Sequence, residues 1–485
     1  TVKWDNIDDA ENTVVAAPIP DALTLDDVRV SPVARDDVYQ VPGNTTLPVG
    51  TTVPGAALGL DGSVRDNDSA YLGADLQVVP IINASTMLGG TVTINGDGTM
   101  VYQPPTGVQN AVDFAEYHVM NTDGSSSVVP AGVRGEVDGG VWGVDQLACP
   151  GGDGSSLRPF VDLSLLNAEE SDPTRDVDEQ GDYIRVRGGV YDNPDGARNA
   201  TLFVEDNQQV IGDRVPLIIE GFDQVIDPTT GLGPVFENTA AGTGDGDILR
   251  VGRDTTIRGV RLGNSTRYGI HASDFDHLTM SDVEVQGAGA AALLENGTAD
   301  VSFDAIFATG GTGTALSVRD VNGVVEVKQQ FICTSWTGTC IDIRSSPNLN
   351  AAFRDNILLD VVGDGLIVED VGMLSAEAAN NQIFCDEGTA LRVERVNHVQ
   401  TRWDALKILG PTLSSSPRVA LTDVQGTTEI GTLDCTISGE ATCVALDNAD
   451  TVRVLDPNSR ITNDDGQTLV VKDSNIDMTF DRIES

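Results

Sequence analysis

From Ile248 to Ser485 the apolar residues recur in short alternating runs, with no helical stripe between them. Each segment opens on a short apolar strand, passes a turn of Asn, Asp and Gly, gives a second apolar strand and closes on a Gly-rich corner. Ile248-Leu249-Arg250-Val251 opens one, Ile270 the next, then Ala292-Leu293-Leu294, Ala315-Leu316-Ser317-Val318 and Cys340-Ile341-Asp342-Ile343. Leu366, Ala390, Val419, Cys443 and Thr468 open the rest, at intervals of about 25 residues. Alternation such as Leu-Ser-Val or Ile-Asp-Ile turns every second side chain inward. One segment cannot bury that face alone, whereas a stack of them makes a continuous core. The pattern predicts a solenoid of about ten coils, a right-handed parallel β-helix over 248–485, rising ~4.8 Å per coil. Gly310-Gly311-Thr312-Gly313 and Gly363-Asp364-Gly365 are expected to supply positive φ at corners.

Upstream the pattern changes. Residues 1–32 carry no globular periodicity and one apolar run, Val14-Val15-Ala16-Ala17; they read as a linker or a strand packed on the next domain, or as an extended arm that pairs with a sheet edge of a neighbouring subunit. Residues 33–138 alternate in short strands with frequent turns, as in an antiparallel β-sandwich. Residues 139–247 hold Trp142, a Gly-rich loop at Gly151-Gly152-Asp153-Gly154, Pro159-Phe160, and then Gly181-Asp182-Tyr183-Ile184-Arg185-Val186. They read as the first, irregular coils. The fold class is therefore all-β, a sandwich followed by a solenoid.

Composition narrows the partners. The chain of 485 residues holds 74 acidic against 29 basic residues, a formal net charge of −45. Nucleic acid and anionic membrane surfaces are poor partners for such a chain, and no apolar run is long enough to span a bilayer as a helix. Of six cysteines, Cys333 with Cys340 and Cys435 with Cys443 bracket corners and are expected to be disulfides, which implies an extracellular or cell-surface location. Cys149 and Cys385 are left over.

Two resemblances follow from motifs. Ala34-Arg35-Asp36-Asp37-Val38-Tyr39, Val64-Arg65-Asp66-Asn67-Asp68, Gly89-Gly90-Thr91-Val92-Thr93-Ile94-Asn95-Gly96-Asp97-Gly98-Thr99 and Val112-Asp113-Phe114-Ala115-Glu116-Tyr117 resemble the bacterial cadherin-like, Ig-like tandem repeat of surface adhesins. That resemblance implies a stalk module that often binds calcium, with Asp36, Asp37, Asp66, Asn67 and Asp68 as the oxygen donors. The order Trp142, Gly-rich loop, Pro159-Phe160 and Gly181-Asp182-Tyr183-Ile184 resembles pectate-lyase-like β-helix proteins, and that resemblance implies a capping helix over Phe160–Ala168. That fold hosts lyases and hydrolases, and fold alone does not decide activity.

The catalytic motifs of those hydrolases are missing: no Gly-His-Gly and no Arg-Ile-Lys occurs. Asn463-Asp464-Asp465-Gly466 reads as a turn. The four histidines, His118, His271, His277 and His398, form neither a triad nor a zinc spacing. His271 and His277, beside Asp274 and Asp276, are the best catalytic or metal candidates, against an acidic exposed turn. Trp336, inside the Cys333–Cys340 corner, is expected to be exposed and able to stack on sugar. The main expectation is a non-catalytic extracellular adhesin or filament subunit associating head to tail, with cell-surface carbohydrate as a further partner. A β-helix polysaccharide lyase or hydrolase acting on acidic polysaccharide, or a tailspike-like receptor-binding protein, are the alternatives.

Overall fold

The computed structural model describes residues 31–53, 59–70, 75–163, 166, 177–192, 201–219, 225–226, 228–229, 231–239, 246–411 and 416–485. Val14, Val15, Ala16 and Ala17 lie outside them. Every regular element among the described residues is a strand.

The expected coils are present. Leu249–Val251 pairs in parallel with Tyr268–Gly287, which pairs with Ala290–Thr309, and so on through Thr314–Trp336, Thr339–Phe353, Leu366–Ala376, Leu391–Pro411, Val419–Ser438, Val444–Val454 and Leu469–Lys472. The column Leu249, Ile270, Ala292, Leu316, Ile341, Leu366, Leu391, Val419 and Val444 faces inward and is buried throughout. This is a parallel β-helix of the right-handed type, and its stacked apolar columns form one core running from Trp142 to Ile461.

The corners follow a different rule from the expected one. After the first strand of each coil the chain turns through a left-handed residue, and these residues stack: Asp274, Asn296, Asp320, Ser345, Asp370, Arg395, Asp423, Asn448 and Asp473 all have φ between 47° and 56°. Asp and Asn tolerate that conformation because their short polar side chains bond locally, so most of these corners need no glycine. Gly310 and Gly313 do take positive φ, but Gly363 and Gly365 do not. Gly363 is required by close approach, since a Cβ there would lie 2.3 Å from the Gly338 carbonyl oxygen.

The same corner corrects the expectation for Trp336. Its side chain is fully buried, and its indole packs on the bare backbone of Gly311, where a Cβ would meet Cη2 at 2.0 Å. Its Nε1 donates to the Gly313 carbonyl at 3.1 Å. Trp403 is equally buried, so neither offers a sugar platform. Both expected disulfides are formed, Cys333–Cys340 and Cys435–Cys443. Cys149 is exposed and Cys385 buried, both as free thiols.

At the N-terminal end of the core, Phe160, Leu163 and Leu166 are buried, and Phe160 stacks on Trp142 at 5.9 Å. Residues 160–163 and 166 do this without a helical turn. The rest of the expected capping helix lies outside the described residues.

Between residues 33 and 138 the described residues form small sheets, antiparallel except where Asp37–Gly43 pairs in parallel with Ala131–Val144, around a core of their own that includes Val41, Leu47, Ile94, Met100 and Tyr117. No linker separates them from the solenoid. Strand Ala131–Val144 pairs with Asp37–Gly43 and Ala111–Tyr117 as far as Gly140, past the expected 138/139 boundary, and from Val141 on with Tyr183–Val186. Buried Asp182 locks the joint, accepting hydrogen bonds from Gln109 Nε2 at 2.8 Å, Gly140 N at 3.1 Å and Trp142 Nε1 at 2.7 Å.

Candidate functional site

The five expected calcium donors meet at the end of the N-terminal sheets, but not as one cage. The Tyr117 hydroxyl lies 2.8 Å from Asp37 Oδ2, 3.1 Å from Asp68 Oδ2, 2.7 Å from the Val64 carbonyl and 3.1 Å from the Arg35 carbonyl. Asn67 Nδ2 donates to Asp37 Oδ1 at 3.2 Å and to the Asp36 carbonyl at 2.9 Å. The Asp36 and Asp66 carboxylates are turned to backbone donors, Gly132 N and Ser63 N. Among the described residues no three Asp, Glu, His or Cys side chains are grouped as a metal would require. Burial pushes the Asp37 carboxyl up to about 7, with the Asp68, Asp36 and Asp66 charges adding to the effect. A phenol has one proton to give, so the Tyr117 oxygen fills the space between two carboxylates and two carbonyls without donating to all four.

In the solenoid, sequence reasoning placed His271 in an acidic turn. The structure gives it a different partner. His271 Nδ1 lies 2.9 Å from Oδ2 of Asp247, which is 24 residues earlier, one coil back. The Asp247 side chain is fully buried. The same oxygen accepts from Arg250 Nε at 3.0 Å and Arg267 NH1 at 3.4 Å. The two guanidiniums are backed by rings: Arg250 lies over Phe203 and Arg267 over Tyr268, 5.6 and 5.1 Å from the ring centres. His277 is exposed and apart, and Asp276 pairs with Arg253. His118 contacts Ser127 in the N-terminal sheets, and Asn463 is a buried corner residue donating to the Ala441 carbonyl.

The same coil carries a cleft that no motif announced. It holds about 510 Å³ and is lined by Glu237, Arg261, Asn264, Gln286, Phe307 and Thr309, with Gly263 and Gly287 in its floor. Such a volume suits a small ligand or one unit of a longer one. The floor is low because Gly263 has no side chain: a Cβ there would lie 2.4 Å from Glu237 Oε1. The Glu237 carboxylate therefore lies over Gly263, where Asn264 donates to Oε1 from its backbone N at 3.2 Å and from Nδ2 at 3.1 Å. Arg261 is braced by Glu284 Oε2 and Gln286 Oε1, both at 3.3 Å. The cleft thus offers a fixed carboxylate, a braced guanidinium, two amides and a half-buried Phe307 ring.

No family model matches the chain, and no curated protein matches it. Among solved structures it is similar to a family 28 exopolygalacturonase from Yersinia enterocolitica, at 9% identity over 80% of this chain and 85% of that one, with a TM-score of 0.20. A likeness that weak carries no argument, and the fold assignment rests on the strand pairing itself.

Proposed function

We propose that this chain is an extracellular carbohydrate-active β-helix protein that takes a polysaccharide in the cleft of Glu237, Arg261, Asn264, Gln286 and Phe307. The observation that carries the reading is the cleft's lining. A sugar presents hydroxyls at its rim and apolar C–H faces, and here pre-set donors and acceptors stand beside one aromatic surface. Glu237 is the carboxylate placed to act on a bound glycan, while Glu284, outside the lining, braces Arg261. The test is product release from a panel of neutral and acidic polysaccharides. Wild type is expected to release oligosaccharides from at least one. E237Q is expected to lose that activity by roughly a hundredfold or more, as for removal of a general acid–base group, while still binding. Full activity in E237Q, or no binding to any glycan by wild type, would overturn the reading.

A non-catalytic adhesive role is the second reading. It is favoured by strand Ala131–Val144, which runs without a break from the N-terminal sheets into the solenoid and makes a stiff joint suited to a stalk. In that reading the N-terminal sheets are a cadherin-like module, and Asp37, Asp68 and the Arg35 and Val64 carbonyls hold calcium. Head-to-tail self-association belongs to it as well.

A further inference from the structure

One outward column of the solenoid, Glu295, Arg319, Arg344, Glu369 and Glu394, pairs from coil to coil and carries a charge at every step. A second outward column starts in the cleft and carries none. Gln286 and Phe307 both line the cleft. They pair in register with each other, and the column continues through Ile332, Leu358 and Gln382. The residues on either side of Phe307, Ile332 and Leu358 along their strands are buried in the core, so alternation turns these three side chains outward. All three are only half-buried. The result is an uncharged stripe, apolar at its centre with an amide at each end. It runs out of the cleft along the solenoid axis for four coil steps, about 19 Å at about 4.8 Å each.

The charges around the stripe have one sign. The next outward position of the same strands holds Thr309, Thr334, Asp360 and Phe384, and no cation enters that row before Lys407. In the cleft the Arg261 guanidinium is answered by Glu284 at 3.3 Å. Glu237, by contrast, meets only the N–H donors of Asn264 among the described residues. An anionic ligand would bring its charge to one unanswered carboxylate in the cleft and to Asp360 beside the stripe, on a chain of net charge −45. Like charges at that range repel, and no cation is built in to offset it.

We infer that the cleft and this stripe together bind a neutral, linear glycan laid along the solenoid axis. The inference rests on the carbohydrate reading and narrows it, against the acidic polysaccharide that the β-helix resemblance suggests. Apolar C–H faces of the sugar rings lie on Phe307, Ile332 and Leu358. Hydroxyls at the ring edges both donate and accept, which matches the amides of Gln286 and Gln382. One coil step is close to the length of one sugar unit in an extended chain, so the stripe takes about four units.

The test is calorimetric titration of the full chain with β-1,4-linked gluco-, xylo- and manno-oligosaccharides, dimer to hexamer, and with oligogalacturonates of the same lengths. The variants are L358Q and I332T, which change outward side chains and leave the core columns intact; near-ultraviolet circular dichroism checks that both keep the fold. In wild type, one neutral series is expected to gain at least about tenfold in affinity from dimer to tetramer. Oligogalacturonates of equal length are expected to bind at least about tenfold more weakly. Each variant is expected to lose the gain with length while dimer binding persists. Oligogalacturonates binding as tightly as the neutral series, or a length gain unchanged in both variants, overturns the inference and leaves the carbohydrate reading standing. No oligosaccharide of either kind bound by wild type sinks both. Self-association of wild type in sedimentation that L358Q abolishes, with no gain in affinity with length, gives the stripe to a second copy and also overturns the inference.

Discussion

Burial of Asp37 beside Asp68, Asp36 and Asp66 outweighs the hydrogen bond that the Tyr117 hydroxyl offers it, and the result is a titration that can be measured. The Asp37 carboxyl is raised from 3.8 to about 7, and Asp68 moves in the same direction through burial. A carboxyl whose folded value is raised stabilises the fold below its unfolded value, and that contribution is lost as pH climbs through the folded value. The N-terminal sheets are therefore expected to melt progressively lower between about pH 4 and pH 7 in the presence of a chelator. Calcium at pH 7.5 is expected to restore the loss, and D68N to abolish the calcium effect while flattening the pH dependence. Thermal melts followed by near-ultraviolet circular dichroism check this; a melting temperature that rises with pH would contradict it. The convergence of Asp37 with Asp68 was legible in the sequence because a resemblance aligned two distant motifs. The role of Tyr117 was not, since a phenol in an alternating strand reads as core. The Asp247–His271 pair was also missed, although its 24-residue separation equals one coil. The residues flanking His271 in sequence, Asp274 and Asp276, drew attention to a turn, whereas in a parallel stack the neighbour that matters is one period away.

Between strand and corner, packing sets the tolerances. The solenoid was legible as a series of strand starts because inward columns such as Leu316, Ile341 and Leu366 must be apolar in every coil. Corner chemistry was less legible, because Gly serves two purposes there. Gly313 provides a left-handed turn, while Gly311 provides room for Trp336. We expect Gly311→Ala to cost about 1–3 kcal/mol through overpacking, although Ala has the lower conformational entropy to lose. Ile341→Ala, which leaves a void in the middle of the stack, is expected to cost about 2–5 kcal/mol. Chemical denaturation of the two variants checks both figures, and a neutral Gly311→Ala would show that Trp336 does not pack on that corner. The cleft escaped sequence reasoning for an element-level reason. Its lining comes from four coils, and the register slips between Phe236 and Asn238, so no fixed spacing links Glu237 to Gln286 and Phe307.

On the scale of the whole molecule, charge and continuity dominate. Rows of ion pairs such as Glu295–Arg319–Asp342–Arg344–Glu369 run down one face of the solenoid. Exposed pairs contribute only about 0.2–1 kcal/mol each and weaken in salt, whereas a net charge of −45 repels itself along the full length. Repulsion is the larger effect, so stability is expected to rise with sodium chloride, mostly between about 0.01 and 0.15 M, where the Debye length falls from about 30 to 8 Å. A melting temperature that drops over that range would mean that the ion-pair rows outweigh the excess charge. The continuous strand Ala131–Val144 and the Asp182 joint make the N-terminal sheets and the solenoid one stiff body, which places the Asp37–Asp68 pocket and the cleft on a common frame.

The most direct test of a carbohydrate-active cleft is calorimetric titration of wild type and Phe307→Ala with oligosaccharides released from candidate polysaccharides. Loss of the aromatic surface is expected to weaken binding by roughly tenfold, about 1.4 kcal/mol, with the fold unchanged by circular dichroism. Equal affinities for the two proteins, or heats indistinguishable from dilution for every oligosaccharide tried on wild type, would contradict it.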